Sequence, residues 1–430
     1  MTSLVANNVF STDSPATIYV TDSVDGYAST LGTATVVNSA NRAWTISLLG
    51  AFTPQTSPVT FRMYVVGIGW GRYGYDIGTN AFVVNGTVAP LVTEIDWNGT
   101  GSNSAWGTGS NWNSGSVPAA TASPHFGLTG FNGTVDTGAS PRTVAGLFFA
   151  SAVSTTISGS SALILDNGAS DAAVSVAGTH VISAPVTLNS NMSISMTSTG
   201  QLTFSGGIGE GSPGKGSTLL SGGTFILGGT NTYTGNTAVS GGNLNITGTL
   251  GNSAVTVSGT GTVSLQNAGA ISQNTVTVAG GTLNQTVANS LGGTAALSVT
   301  SGTANLNLAN NYSGATTISG TGNLVVTNSS GSATGTSLVD IQSGGTLSGS
   351  GSIGNAVTVD ASGHIAPHLT ASGTANLTFN GGLTVNTNSN LDFNLLPGAV
   401  SDKITVSSLT EAGTEKLNVS FPSGLAAGTY

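Results

Sequence analysis

From about residue 146 onward, single apolar residues alternate with Asn, Thr, Ser and Gly in short runs that recur. In "GGTFILGG", "GGNLNITG" and "GTGTVSLQ", Phe225, Leu244 and Val263 stand 19 apart (244 − 225 and 263 − 244), and Leu227, Ile246 and Leu265 keep the same step. Each run has period 2, so Leu244 and Ile246 share one face of a strand while Asn243 and Asn245 take the other. Related runs follow at Leu283, Leu306, Leu324 and Leu347. A repeat of about 20 residues is what one turn of a parallel β-helix requires, with short strands joined by tight corners. Gly-Gly pairs supply the positive φ and close approach of those corners. A longer element also recurs: "NTYTGNTAVSGG" from Asn231 and "NNYSGATTISGT" from Asn310 match at an offset of 79 (310 − 231).

Three zones emerge. Residues 1–90 carry alternating runs such as "ATIYVTDS", "AWTISLLG", "PVTFRMYVVG" and "NAFVVNGTV", punctuated by Gly, Pro and Asn-Gly, which predict an antiparallel β-sandwich. Residues 91–145 are loop-rich and hold Trp97, Trp106 and Trp112. Residues 146–430 form the repeat. The expected fold is therefore all-β: a right-handed parallel β-helix, or β-solenoid, preceded by a smaller antiparallel sandwich.

Composition sharpens this picture. Of 430 residues only 23 are charged (7 Lys plus Arg, 16 Asp plus Glu), and outward Asn and Thr stacked coil upon coil explain why. Amides and hydroxyls pair with their counterparts about 4.8 Å away, whereas identical charges at that spacing repel. The net charge of −9 and the scattered basic residues argue against nucleic-acid binding. No apolar stretch is long enough to span a membrane. The absence of cysteine excludes disulfides and thiolate metal sites, and suits an exported bacterial surface protein. The first residues show no signal sequence, so an exported protein of this sequence is expected to be a mature or trimmed form.

The segment "LSGGTFILGGTNTYTGNTAVSGGNLNITGTLG" (Leu220 to Gly251) resembles the autotransporter-associated β-strand repeats of bacterial surface proteins, and "GSGSIGNAVTVDASGHIAP" with "LTFNGGLTVNTNSNLDFNLLPGAVSDKITVSS" is similar to the closing coils of such passenger solenoids. "WNGTGSNSAWGTGSNWNSGSVPAA" (Trp97 to Ala120) resembles their entry module, and the first 90 residues are similar to part of a jelly roll. The resemblance implies only the solenoid.

Candidate chemistry is sparse. Parallel β-helices also house polysaccharide lyases and hydrolases, which need clustered carboxylates or a base beside an acid. Asp340 and Asp360, 20 apart, are the catalytic candidates because stacking on adjacent coils would pair them. Lys215 stands alone in "GEGSPGKG", which lacks the spacing of a phosphate loop and is read as a bulge. In "HIAPH", Pro367 forbids the helix that would set His364 and His368 up as metal ligands, and His125 and His180 have no evident partners. Neither a metal nor a cofactor is expected. Aromatic faces suit sugar rings. Trp70, Arg72, Tyr73 and Tyr75 in "GWGRYGYD" are therefore candidate ligand contacts, as are Trp97, Trp106 and Trp112, for which the competing reading is a cap over the solenoid end. The expectation is an extracellular structural or adhesion protein without catalysis. The alternatives are a carbohydrate-active protein that binds or cleaves glycans, and a subunit that self-associates into filaments.

Overall fold

The computed structural model describes residues 95–101, 103–128, 133–150, 152–219, 222–368, 374–396 and 400–420, together with the backbone of six strands near the N-terminus. The chain divides into two compact units, Met1–Thr93 and Glu94–Tyr430. In the first unit, Ser3–Ala6 pairs antiparallel with Trp44–Ser47 and with Phe82–Asn85. Ala16–Asp22 pairs antiparallel with Gly32–Val36 and with Phe61–Gly67. Four of these strands fall on the alternating runs read from the sequence.

The second unit is a β-solenoid, nearly all parallel strand with no α-helix among the described residues. Each coil contributes a strand to a first face and a strand to a second. The first face runs from His125–Phe126 to Leu409–Glu411, and the second from Thr134–Asp136 to Lys416–Ser420. Parallel stacking thus begins upstream of residue 146. A third face comes in stretches: Arg142–Val144 to Ile208–Glu210, a pairing of Thr230–Asn231 with Thr249–Leu250, and Ser352–Ile353 to Lys403–Val406. In the middle coils the first two faces merge into single strands, Thr275–Gln285, Ala296–Leu306 and Thr316–Val326. These strands turn at Gly280, Gly302 and Gly320, whose φ values are 119°, 77° and 62°. An L side chain is disfavoured in that region, which is why glycine occupies those corners.

Phe225, Leu244 and Val263 lie directly over one another, buried, within a column on the second face. The apolar part of that column runs from Leu202 and continues through Leu283, Ala304, Leu324, Leu347 and Ile365 to Leu391 and Leu417. On the first face, Val239 is followed by Val257, Val278, Val299, Ile318, Ile341, Val359 and Val385. Each such side chain stabilises by about 1.5–3 kcal/mol when taken from water. A thin aliphatic spine therefore suffices, because every coil extends it and hydrogen-bonds its backbone to the next.

The recurring Asn-x-Tyr element closes gaps in this scheme. Asn231 is fully buried; its Oδ1 accepts from the Ile208 backbone N–H at 3.0 Å, and its Nδ2 donates to the carbonyls of Gly228 and Thr249. Asn310 repeats the arrangement, accepting from the Leu291 N–H and donating to the Ala333 carbonyl. The Tyr two residues on inserts its ring into the core: Tyr233 and Tyr312 are both 0% exposed.

Candidate functional site

Asp340 takes the outward position of the first-face strand Val339–Ile341, Asp360 directly follows the next strand, Val357–Val359, and the register settles their relation. Asp340 lies opposite Thr317 and Thr358, not opposite Asp360, because adjacent coils here differ by 18 residues (358 − 340) rather than 20. The expected stacked pair of carboxylates does not form. Each is instead held by an amide: Gln342 Nε2 donates to Asp340 Oδ2 at 2.8 Å, and Asn386 Nδ2 donates to Asp360 Oδ1 at 2.8 Å. Asp360 borders a shallow depression together with Ser343, Ala361, Asn386, Thr387 and Ala412. This lining of one carboxylate, one amide, two hydroxyls and two methyls can accept and donate hydrogen bonds to a neutral hydroxylated ligand.

The "HIAPH" histidines are separated by their partners. His364 Nδ1 lies 2.7 Å from Asp392 Oδ2, and Asn418 Nδ2 donates to the other Asp392 oxygen at 2.6 Å. His368 Nδ1 lies 2.7 Å from Asp402 Oδ2, and the Asp402 side chain is 0% exposed. Asp402 also accepts from the backbone N–H groups of Asn394 at 2.6 Å and Ala375 at 2.9 Å, so one carboxylate ties three chain segments together. Neither imidazole has a hydrogen-bond partner on Nε2 among the described residues. No group of three His, Asp or Glu side chains that could hold a metal occurs among the described residues.

Lys215 is half-buried and directly follows an exposed turn. Its backbone N–H donates to Glu210 Oε2 at 3.0 Å, and Thr234 Oγ1 donates to Oε1 at 2.7 Å. Burial pushes the Glu210 carboxyl up, but the hydrogen bonds from Thr234, Lys215 and Gly214 outweigh it and leave the group below its usual range. The bonds that anchor this turn come from Glu210 and its neighbours, and the Lys215 contribution among them is its backbone N–H.

The three tryptophans are interior. Trp97, Trp106 and Trp112 are at most 1% exposed. Trp112 packs edge-on against both others with ring centroids 5.1 Å apart, and Trp106 packs on Phe126 at 5.6 Å. Trp112 Nε1 donates to the Trp106 carbonyl at 2.8 Å. Phe126 in turn stacks on Phe149 of the next coil at 5.5 Å, which makes the cluster continuous with the core. No indole face is left open for a sugar ring. Trp70, Arg72, Tyr73 and Tyr75 lie outside the described residues.

His180 is a buried group that sequence alone left without a partner. It is 0% exposed and stacks under Leu202 in the second-face column. Nδ1 accepts from the Thr155 N–H at 3.1 Å, so Nε2 carries the proton and donates to the Ala177 carbonyl at 2.8 Å. Desolvation by burial lowers its pKa, and the hydrogen bonds to backbone carbonyls oppose that only in part.

No protein-family model, curated protein or solved structure matches this chain.

Proposed function

We propose that the chain is a structural, adhesion-type β-solenoid of a bacterial cell-surface or secreted protein, of the autotransporter-associated repeat type that its motifs resemble. One observation carries the reading: the outward rows of the second face are broad, regular and uncharged over many coils. Thr224, Asn243, Thr262, Thr282, Thr303 and Asn323 form one row, with Asn245, Ser264, Asn284 and Asn305 beside it. Lateral bonds knit the rows, as where Asn305 Nδ2 donates to Asn284 Oδ1 at 2.8 Å. A stiff sheet of hydroxyls and amides suits contact with glycans and other cell-surface polymers, and the amide-bonded Asp340 and Asp360 fit a binding role better than acid–base work. Catalysis is not part of this reading.

The test is a panel of polysaccharides presented to the full chain, scored for both retention and turnover. Retention without turnover, weakened by Thr262→Lys and Thr303→Lys on the flat face, is expected. Turnover that disappears in Asp360→Asn or His364→Gln overturns the proposal in favour of a polysaccharide-cleaving enzyme.

A further inference from the structure

The corner between the first and second faces is built alike in three successive coils. The Gly345 N–H donates to the Gln342 carbonyl, the Gly363 N–H to that of Asp360, and the Ser389 N–H to that of Asn386, so each corner is a four-residue turn. The turns stack: the Gly344 N–H donates to the Ser362 carbonyl, and the Ser362 N–H to that of Asn388. Gln342, Asp360 and Asn386 therefore form one row, and the exposed Ser343, Ala361 and Thr387 the next, at about 4.8 Å per coil. In the second row Ala361 carries only a methyl group between two hydroxyl-bearing neighbours. Those neighbours stand two coils apart, about 10 Å, so one sugar ring spans the gap between them. Ala412 follows Asn386 in the first row, again as a methyl group. The short side chains leave the depression over Asp360, with a volume of about 540 Å³, within the roughly 300–1,000 Å³ of small-ligand sites. Its centre, Ala361, has a described corner on either side.

The polar atoms of the lining are only partly used within the protein. Asn386 Nδ2 donates to Asp360 Oδ1, and Thr387 Oγ1 donates to the Ala412 carbonyl at 3.2 Å. Asp360 Oδ2, Asn386 Oδ1 and Ser343 Oγ have no hydrogen-bond partner among the described residues. Two of these atoms accept only, and the third can donate or accept. That set matches a ligand rich in hydroxyl donors, with C–H surface to lay on the methyls of Ala361 and Ala412: adjacent hydroxyls on one sugar ring. The bond from Asn386 holds the carboxylate in place beforehand, which lowers the cost of ordering it on binding. Asp360 gives the lining a negative charge, and neither Lys nor Arg is among its residues. A uronic acid would meet like charge there without a counter-ion.

We propose that this corner depression is a subsite for one neutral sugar residue of a bound glycan, a role that depends on the glycan contact proposed above. Asp360 Oδ2 and Asn386 Oδ1 accept from neighbouring hydroxyls of the ring, Ser343 donates to a ring substituent, and Ala361 is the floor.

Retention of the full chain on immobilised neutral glucan, galactan and mannan, and on polygalacturonate, tests this at physiological salt. Wild type, Ser343→Ala, Asp360→Asn, Ala361→Leu and the flat-face variant Thr262→Lys are compared across a range of concentration. Ser343 and Ala361 are exposed, so substitutions there leave the fold intact, and circular dichroism checks all four. Wild type is expected to hold at least one neutral polysaccharide about tenfold more tightly than polygalacturonate, and Ala361→Leu to weaken that binding by about tenfold. Ser343→Ala is expected to weaken it less, and Asp360→Asn to narrow the preference for neutral over acidic polymer. Neutral binding that Ala361→Leu leaves unchanged while Thr262→Lys weakens it overturns the corner subsite and leaves the glycan-contacting reading standing. Equal binding of polygalacturonate by wild type overturns the assignment to neutral sugars. Failure of wild type to bind any of the four polymers overturns both the subsite and the reading on which it depends.

Discussion

The hydroxyl of Tyr312 lies 2.7 Å from Oγ1 of Thr316 inside the solenoid, both residues being 0% exposed. The same pair recurs one motif earlier, where Tyr233 meets Thr237 at 2.7 Å, and there the chain of hydroxyls extends to Ser253 at 2.8 Å. Burial raises the pKa of both tyrosines above the usual phenol value, against the smaller opposing effect of the hydroxyl bonds. These phenols stay protonated throughout the working range of pH.

Removing the Tyr312 hydroxyl strands that of Thr316. Tyr312→Phe is expected to destabilise by about 1–3 kcal/mol, the cost of a buried unsatisfied group. Tyr312→Phe/Thr316→Val is expected to recover part of that loss, because both polar atoms are then gone. Urea denaturation of the three variants measures it.

His180 makes the first coils sensitive to acid. Its folded-state pKa is lowered from 6.5, so the unfolded chain binds the proton more readily. The stability contributed by the neutral ring is present above the unfolded pKa and is lost as pH falls below about 6.5, with a slope of at most about 1.4 kcal/mol per pH unit. His180→Gln, which keeps an acceptor and a donor but does not titrate, is expected to flatten the fall in melting temperature between pH 7 and pH 5. Equal slopes for the two proteins refute the assignment.

Corner glycines and their exceptions predict opposite signs. Gly302 has a φ of 77°, and a Cβ there would collide with the Gly281 carbonyl. Gly302→Ala is therefore expected to cost more than about 1 kcal/mol. Ser362 holds a φ of 63° at an equivalent corner with an L side chain. Ser362→Gly is expected to stabilise by up to about 1 kcal/mol. Thermal melts of the two variants should move in opposite directions.

Asp402 is the anchor of the C-terminal coils. Asp402→Ala leaves His368 and two backbone N–H groups without their acceptor, and about 3 kcal/mol of local stability is expected to go with it. Hydrogen exchange should accelerate in Asn376–Phe379 and Asn390–Leu396 while the coils around Leu244 keep their protection.

The columns were legible because a strand can hide only alternate residues, and Phe225, Leu244 and Val263 keep that parity over identical coil lengths. The chemistry was less legible because coil length varies. From Thr317 to Asp340 the step is 23, from Asp340 to Thr358 it is 18, and from Thr358 to Thr384 it is 26. Loops on the third face absorb these differences, so a spacing of 20 between Asp340 and Asp360 said nothing about stacking. Buried polar residues were also silent. Asn231 and Tyr233 repeat 79 residues later, yet polar letters in a polar sequence give no sign that they point inward. The pairing of His368 with Asp402 spans 34 residues and crosses the strands Asn376–Phe379, Leu383–Val385 and Asn390–Leu396, and local pattern cannot reach that far.

The merging of the first two faces into single strands at Thr275–Gln285, Ala296–Leu306 and Thr316–Val326 also has a mechanical side. The bonds between neighbouring coils point along the stack, so a force applied along that direction opens them in sequence, like the teeth of a zip. Merged strands bring the longest rows of such bonds, broken only at their corners, and the three central coils should hold after those on either side have peeled away.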